Sequence, residues 1–294
     1  EGNYSIKLRK KIGTNKIEEI WNGDKEKEKL GVEYFGIGDL EVSHNDKYLA
    51  YSLDIKGSEY FSIFIREITN NKIISKEITD TSGSILFSLD NKYIFYSKLD
   101  KNHRARKIFR HEIGSFQSID ELIFEEKSDA FTVGITLSSD EKYYFISTSD
   151  HNTSEQYFFK VDEKKPRPKL IKKRKKGILY SVSSWDNKFY NHTNEGAEDF
   201  KIEISESLEN QKWKSFIKPK NEVLIGSCIF LKNWIIRSET SNALDRLFVR
   251  HISKESEEEL IISDEKVCVP NISLRQKDRD TDEVYIGYSS PKTP

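Results

Sequence analysis

A polar turn followed by a short β-rich segment returns along this chain at nearly constant spacing. The clearest copies run from Ser43 to Ser52, from Ser88 to Ser97 and from Ser138 to Ser147. Weaker copies follow, and six anchor residues lie at intervals of 44 to 50 residues: Asp46, Asp90, Asp140, Asp186, Lys232 and Asp282. A strand-rich repeat of this length is typical of a β-propeller blade.

The segments between these turns alternate as strands do. Leu49, Tyr51 and Leu53 alternate, Gly57 and Ser58 form a turn signal, and residues 60–68 follow as the next strand. Such strand and turn signals predict the antiparallel meander of a blade. Further strands are predicted at 73–78, 108–111, 121–126, 131–136, 153–161, 170–171, 200–205, 213–217, 247–252 and 259–262. The sequence therefore predicts an all-β fold, a β-propeller with about six blades visible.

The first residues carry their own pattern. Residues 5–19 alternate around Gly13 and Asn15 and predict a hairpin, and the charged stretch from Lys25 to Leu30 predicts a short helix or a loop.

Composition argues against several classes of partner. The 48 basic residues nearly cancel the 49 acidic ones, and this balance gives no electrostatic reason to expect nucleic acid or an anionic membrane. No apolar run approaches the roughly 20 residues of a membrane-spanning helix, and no signal peptide opens the chain. Two isolated cysteines, Cys228 and Cys268, fit a reducing cytoplasm better than a disulfide framework, with one structural disulfide as the alternative. Methionine is absent, which indicates either a fragment or the omission of modified methionines.

Two stretches are more specific than the repeat. Residues 99–115 and 120–131 resemble hallmark segments of the oligopeptidase B (protease II) family, which belongs to the prolyl oligopeptidase family of serine peptidases. The resemblance covers almost the whole chain in order and also includes 35–43, 49–52, Asp54, Gly57, 152–155, 288–290 and 293–294.

The resemblance implies a layout and an activity. Members pair a seven-bladed propeller with an α/β-hydrolase domain that cleaves short peptides after Arg or Lys, and the propeller excludes folded proteins. Residues 1–33 would then lead in from the hydrolase side, and 34–294 would be a C-terminally incomplete propeller, with the catalytic domain absent. The sequence contains no G-x-S-x-G elbow, so no catalytic residue is predicted in this chain. No cofactor or metal is predicted.

Arg104 and Glu125 are the candidate site residues. The resemblance implies that they help latch the propeller to an Arg near the catalytic His of the hydrolase domain. The alternative is a solvated charge or an ordinary cross-strand pair. Arg106, Arg110 and Glu126 lie close in sequence and leave the assignment open among them.

Other polar and aromatic residues favour structural roles. The basic run from Lys172 to Lys176 resembles a nucleic-acid patch but fits a solvated loop better. The histidines have no metal-ligand spacing, and surface or loop hydrogen bonding is predicted for two of them, His111 and His251; the full set is 44, 103, 111, 151, 192 and 251. The tryptophans predict blade packing rather than a ligand cage: Trp21, Trp185, Trp213 and Trp234.

Two functions follow. The first is the gating propeller of a cytoplasmic, Arg/Lys-directed oligopeptidase, whose partners are short basic peptides and the hydrolase domain of the same parent chain. The second is a stand-alone propeller that binds a protein partner through its loops, because a propeller fold alone does not decide function. The incomplete last blade favours the first.

Overall fold

The computed structural model describes residues 2–265, 267–274 and 281–293. The all-β prediction is confirmed, since helix within these residues is confined to one short α-helix and the 3₁₀ turn Gln117–Ile119. The chain divides into two compact units, of which the first comprises 1–136 with 161–168 and the second 137–160 with 169–294.

The predicted N-terminal hairpin is present and leads into a helix. Strand β1 (Ile6–Lys10) pairs antiparallel with β2 (Ile17–Asn22), and α1 (Gly23–Leu30) follows at once. The Asn22 side chain caps the first turn of α1, and Gly31, at φ 63°, ends the helix in the left-handed conformation that favours glycine. The stretch predicted as a helix or loop is therefore a capped helix.

Seven antiparallel strands in sequence order form the main sheet of the first unit. They are β3 (Gly36–Val42), β4 (Tyr48–Asp54), β5 (Phe61–Glu67), β6 (Ile73–Phe87), β7 (Tyr93–Leu99), β8 (Ala105–Glu112) and β9 (Glu121–Glu125). Strand β6 is longer than predicted because it ends one repeat and begins the next. Gly83 lies at this crossing with φ 89°, and a Cβ there would lie 3.0 Å from the Phe61 ring. Strand β10 (Thr132–Leu137) follows.

A buried ion pair fastens α1 to this sheet. Arg66 of β5 pairs with Glu26 of α1, and its Nη2 donates to the Ile20 carbonyl at 2.7 Å. The guanidinium lies 5.2 Å from the Trp21 ring and 5.3 Å from the Tyr51 ring. Both rings belong to a core cluster that includes residues of β2 and of β4. The N-terminal segment is thus part of the core of the first unit.

The second unit repeats the meander. Its strands are β11 (Tyr143–Ser149), β12 (Ser154–Lys160), β13 (Lys169–Lys172), β14 (Tyr180–Trp185), β15 (Lys188–Thr193), β16 (Lys201–Ser205), β17 (Lys214–Ile217), β18 (Leu224–Phe230), β19 (Trp234–Ser241), β20 (Leu244–His251), β21 (Glu258–Glu259), β22 (Val269–Leu274) and β23 (Val284–Ser289). Strands β14 to β17 and β18 to β21 form four-stranded antiparallel sheets. The prediction of a strand at 259–262 is wrong after Glu259, where β21 ends. Ile261 is 70% exposed and does not occupy a buried strand position.

The repeated turn explains why the same residues recur. Ser88 Oγ donates to Asp90 Oδ1 at 2.6 Å and accepts from the Tyr93 N–H at 2.9 Å, and Asp90 Oδ1 also accepts from the Lys92 N–H. The contacts recur at Ser43 and Ser138. One serine and one carboxylate or amide therefore satisfy the backbone of the turn.

Two copies depart from the predicted anchors. In the first repeat the residue equivalent to Asp90 is Asn45 rather than Asp46, because Asn45 Oδ1 accepts the hydrogen bonds. In the fourth, Asp186 and Asn187 both have positive φ, 49° and 57°, and connect β14 to β15 by a tight two-residue hairpin.

Substitution of Ser88 tests the role of the turn. Ser88→Ala leaves the partly buried Tyr93 N–H without its side-chain acceptor, and we expect the free energy of unfolding to fall by about 1–3 kcal/mol. Ser84→Ala, at an exposed position of the preceding strand, should change it by less than about 0.5 kcal/mol. Urea unfolding measures both, and equal effects would show that the serine is not required.

Alkaline pH should weaken the second unit. Burial raises the pKa of Tyr180 and that of Tyr190 to about 12, from an ordinary value of 10.0. Because each folded-state pKa lies above the unfolded one, the contribution to stability is complete below pH 10.0 and is lost as the pH rises to about 12. Urea midpoints measured across this interval should fall, and a constant midpoint would contradict the assignment.

Candidate functional site

Arg104 lies in the loop between β7 and β8. Its side chain is exposed and makes no hydrogen bond or ion pair with any residue that the structure describes. Its backbone N–H donates to Asp100 Oδ1 at 3.1 Å. The loop is further held by Tyr60, whose hydroxyl donates to the Asp100 carbonyl and whose ring lies 4.2 Å from that of His103. The loop therefore presents an exposed guanidinium, close enough to the Asp100 carboxylate for the two charges to attract.

Glu125 ends β9, where two lysines share its carboxylate. Lys107, its cross-strand partner on β8, lies 3.5 Å from Oε1, and Lys127 pairs with Oε2. The hydrogen bond from Lys127, and then the charges of Lys127 and Lys107, hold the pKa of Glu125 below its ordinary value. The carboxylate is thus ionised and partly exposed at neutral pH.

The structure brings the two predicted residues to one end of the sheet but not into contact. The β8–β9 register places Lys107 opposite Glu125, and Arg104 lies just before β8, at the same end. No ion pair joins the Arg104 and Glu125 side chains. Arg104 is therefore exposed at this end of the sheet, where the Glu125 carboxylate is already paired with Lys107 and Lys127.

Arg106, one of the alternatives to Arg104 in the sequence, has a structural role. It pairs with Asp129, lies 3.8 Å from Asp100, and donates to the carbonyls of Glu126 and Lys127. These bonds hold the segment after β9 against the start of β8.

Arg110 and Glu121 form a second pair at the opposite end of β9. Arg110 pairs with Glu121, donates to the Lys164 carbonyl at 3.0 Å and lies 4.4 Å from the Tyr93 ring. This arrangement has no free charge comparable to Arg104.

A serine, a histidine and an aspartate meet inside the first unit. His111 Nδ1 lies 2.8 Å from Asp120 Oδ1 and Nε2 lies 3.2 Å from Ser75 Oγ, while the Tyr96 hydroxyl donates to Asp120 Oδ2. Ser75 Oγ accepts from the Gly114 N–H, which leaves its own proton for His111 Nε2. Ser75 is 1% exposed and His111 0%, so no substrate can reach this group. The prediction of surface or loop hydrogen bonding for His111 is wrong, because its ring is buried and one of its partners, Ser75, lies 36 residues away in sequence.

Two further histidines and the basic run have partners within the second unit. The His192 ring stacks on Phe200 at 4.6 Å, burial lowers its pKa, and His251 Nδ1 lies 2.7 Å from Ser253 Oγ. In the run from Lys172 to Lys176, Lys172 pairs with Glu195, and Arg174 lies 3.7 Å from Glu155. Across the described part of the chain, no group of three His, Cys, Asp or Glu side chains could hold a metal ion.

Three of the tryptophans pack as predicted. Trp21 and Trp185 are buried in core clusters, and Trp213 packs against a third. Trp234 is 36% exposed and meets His251 edge to face at 5.1 Å. Cys228 and Cys268 are free thiols. No described helix is both long and apolar enough to cross a bilayer.

Comparison with known proteins decides the family. The family described as prolyl oligopeptidase, N-terminal beta-propeller domain, matches residues 3–294. The chain belongs to this family. Protease 2 of Moraxella lacunata is 28% identical over 264 residues, a match that covers 89% of this chain and 38% of that protein. Dipeptidyl aminopeptidase BI of Pseudoxanthomonas mexicana is 25% identical, with 90% and 36% covered.

Solved structures agree with the β-propeller prediction. Oligopeptidase B from Leishmania major superposes with a TM-score of 0.86 at 20% identity, over 96% of this propeller chain and 41% of that one. Oligopeptidase B from Trypanosoma brucei, in a closed form with covalently bound antipain, gives 0.86 at 22% identity with the same coverage. The fold is that of the N-terminal β-propeller in the oligopeptidase B-like members, and the chain spans well under half the length of these relatives.

Proposed function

We propose that this chain is the gating propeller of an oligopeptidase B-like serine peptidase that hydrolyses short peptides after Arg or Lys. The observation that carries the proposal is the family match over residues 3–294, together with relatives more than twice as long. Acyl-enzyme chemistry would belong to an α/β-hydrolase domain elsewhere in the parent chain. The two free thiols fit a reducing cytoplasm, where we place the protein.

We further propose that residues 1–33 lead in from the hydrolase domain and that Arg104 and Glu125 form the interdomain latch. The exposed Arg104 guanidinium can donate to a carboxylate, and the Glu125 carboxylate can accept from another cation beside its two lysines. Closure would exclude water from these groups and strengthen charge-assisted bonds that opening would break. The same two residues would then bias the equilibrium between open and closed states.

Kinetics of the parent protein test the latch. Charge-assisted hydrogen bonds contribute about 1.5–3 kcal/mol, so we expect Arg104→Ala and Glu125→Gln each to lower kcat/KM for a short Arg-containing peptide by about tenfold or more. Glu121→Gln is the matched control, because Glu121 lies on the same strand at the opposite end. An equal loss in Glu121→Gln and Glu125→Gln would contradict the latch.

The same assay tests substrate class. Peptides that differ only in Arg, Lys or uncharged citrulline before the scissile bond should be cleaved in the first two cases and poorly in the third. Equal cleavage of the citrulline peptide would overturn the basic specificity. A parent protein that cleaves none of them would favour the stand-alone binding module.

A further inference from the structure

A groove of about 420 Å³ lies in the second unit. One wall comes from Phe216 and Ile217 of β17, and the other comes from Phe248 and Arg250 of β20. Arg237 of β19, 1% exposed, contributes to its lining. The volume is within the range of small-molecule sites.

Fixed charges and aromatic rings build the interior of the groove. Arg237 donates twice to Glu257, at 2.9 and 2.6 Å, and lies 4.7 Å from the Phe248 ring. Its Nη1 lies 2.6 Å from Glu239 Oε1, which makes Glu239 a second carboxylate partner of the guanidinium. The position of the buried guanidinium is therefore set by carboxylates.

Three charged side chains of the groove lining have no ion-pair partner among the described residues. Arg250 donates from Nε to the Lys254 carbonyl at 2.7 Å and lies 4.5 Å from the Phe216 ring, which leaves its terminal nitrogens unused. The Lys218 ammonium and the Glu255 carboxylate are exposed, and within 2–265, 267–274 and 281–293 no side-chain hydrogen bond or ion pair occupies either one. The groove thus offers two free cations, one free carboxylate and an aromatic wall.

We propose that this groove binds a small ligand that carries both a carboxylate and a cationic side chain, such as a C-terminal arginine or lysine of a short peptide. The planar Arg250 guanidinium suits a carboxylate, with Lys218 as the second cation. Glu255 pairs with the ligand cation, and the aliphatic stem packs on Phe216. The inference rests on the groove lining and is independent of any cleavage after Arg or Lys.

Three related probes separate the two charge requirements. Nα-acetyl-arginine carries both charges, Nα-acetyl-argininamide lacks the carboxylate, and Nα-acetyl-citrulline lacks the cation. Calorimetric titration of this chain should show saturable binding of the first, about tenfold or more tighter than either of the others. Absence of saturable binding, or equal affinity for all three, would overturn the proposal.

Variants place the binding in the groove. Arg250→Gln and Lys218→Gln should each weaken the binding of Nα-acetyl-arginine by about tenfold. Because Lys218 is exposed, the Lys218→Gln variant is expected to fold. Arg246→Gln, which lies on β20 like Arg250 but outside the groove, should bind Nα-acetyl-arginine with the same affinity as the unsubstituted chain. Unchanged affinity in both groove variants, with folding verified by circular dichroism, would overturn the assignment. Because the assay measures binding alone, failure of the peptidase proposal would leave its result unaffected.

Discussion

Replacement of Arg66 by alanine is expected to lower the free energy of unfolding by about 3–5 kcal/mol. The guanidinium is 5% exposed at its side chain, and the change leaves the Glu26 carboxylate, 13% exposed, without its partner. It also removes the donor to the Ile20 carbonyl and the cation that packs on Trp21 and Tyr51. Urea unfolding followed by tryptophan fluorescence measures the loss.

Two further variants separate the buried charge from the loss of a side chain. Arg246→Ala breaks an exposed pair with Glu259, 54% and 38% exposed, and should cost at most about 1 kcal/mol. The double variant Arg66→Met with Glu26→Met removes both charges and should recover much of the stability lost by Arg66→Ala. A loss at Arg66 no larger than that at Arg246 would contradict the anchoring of α1 by this pair.

Asp120→Ala is expected to lower the free energy of unfolding by about 2–6 kcal/mol, because two buried donors lose their acceptor at about 1–3 kcal/mol each. The donors are His111 Nδ1 and the Tyr96 hydroxyl. Thermal or urea unfolding reports the change.

An exposed aspartate of the same unit supplies the comparison. Asp162→Ala should change stability by less than about 0.5 kcal/mol. Tyr96→Phe together with Asp120→Ala removes one of the orphaned donors and should be less destabilised than the sum of the two single variants. If Asp120→Ala behaves as Asp162→Ala does, the buried network contributes nothing to the fold.

Local signals account for the parts of the fold that the sequence predicted well. In the first three turns the serine, the carboxylate or amide and the tyrosine lie within six residues, and their hydrogen bonds close within the turn itself. The off-by-one anchor at Asp46 arose because Asn45 and Asp46 are both polar, and only the hydrogen bonds distinguish them.

Contacts between distant residues account for what the sequence did not reveal. Ser75 and His111 are 36 residues apart, and no local pattern predicts that they meet in the core. Glu125 received a latch role from resemblance alone, whereas its lysine partners depend on strand register. The groove beside Arg237 combines residues from separate strands and loops, so neither composition nor spacing marked it.

The reading frame that follows the codon for Pro294 tests the peptidase proposal most directly. The frame is expected to continue into a G-x-S-x-G elbow followed by an aspartate and a histidine, the order of an α/β-hydrolase triad. That result would make this chain the propeller of a serine peptidase. A stop codon directly after Pro294 would contradict the peptidase proposal and leave a propeller whose partner must be sought by binding experiments.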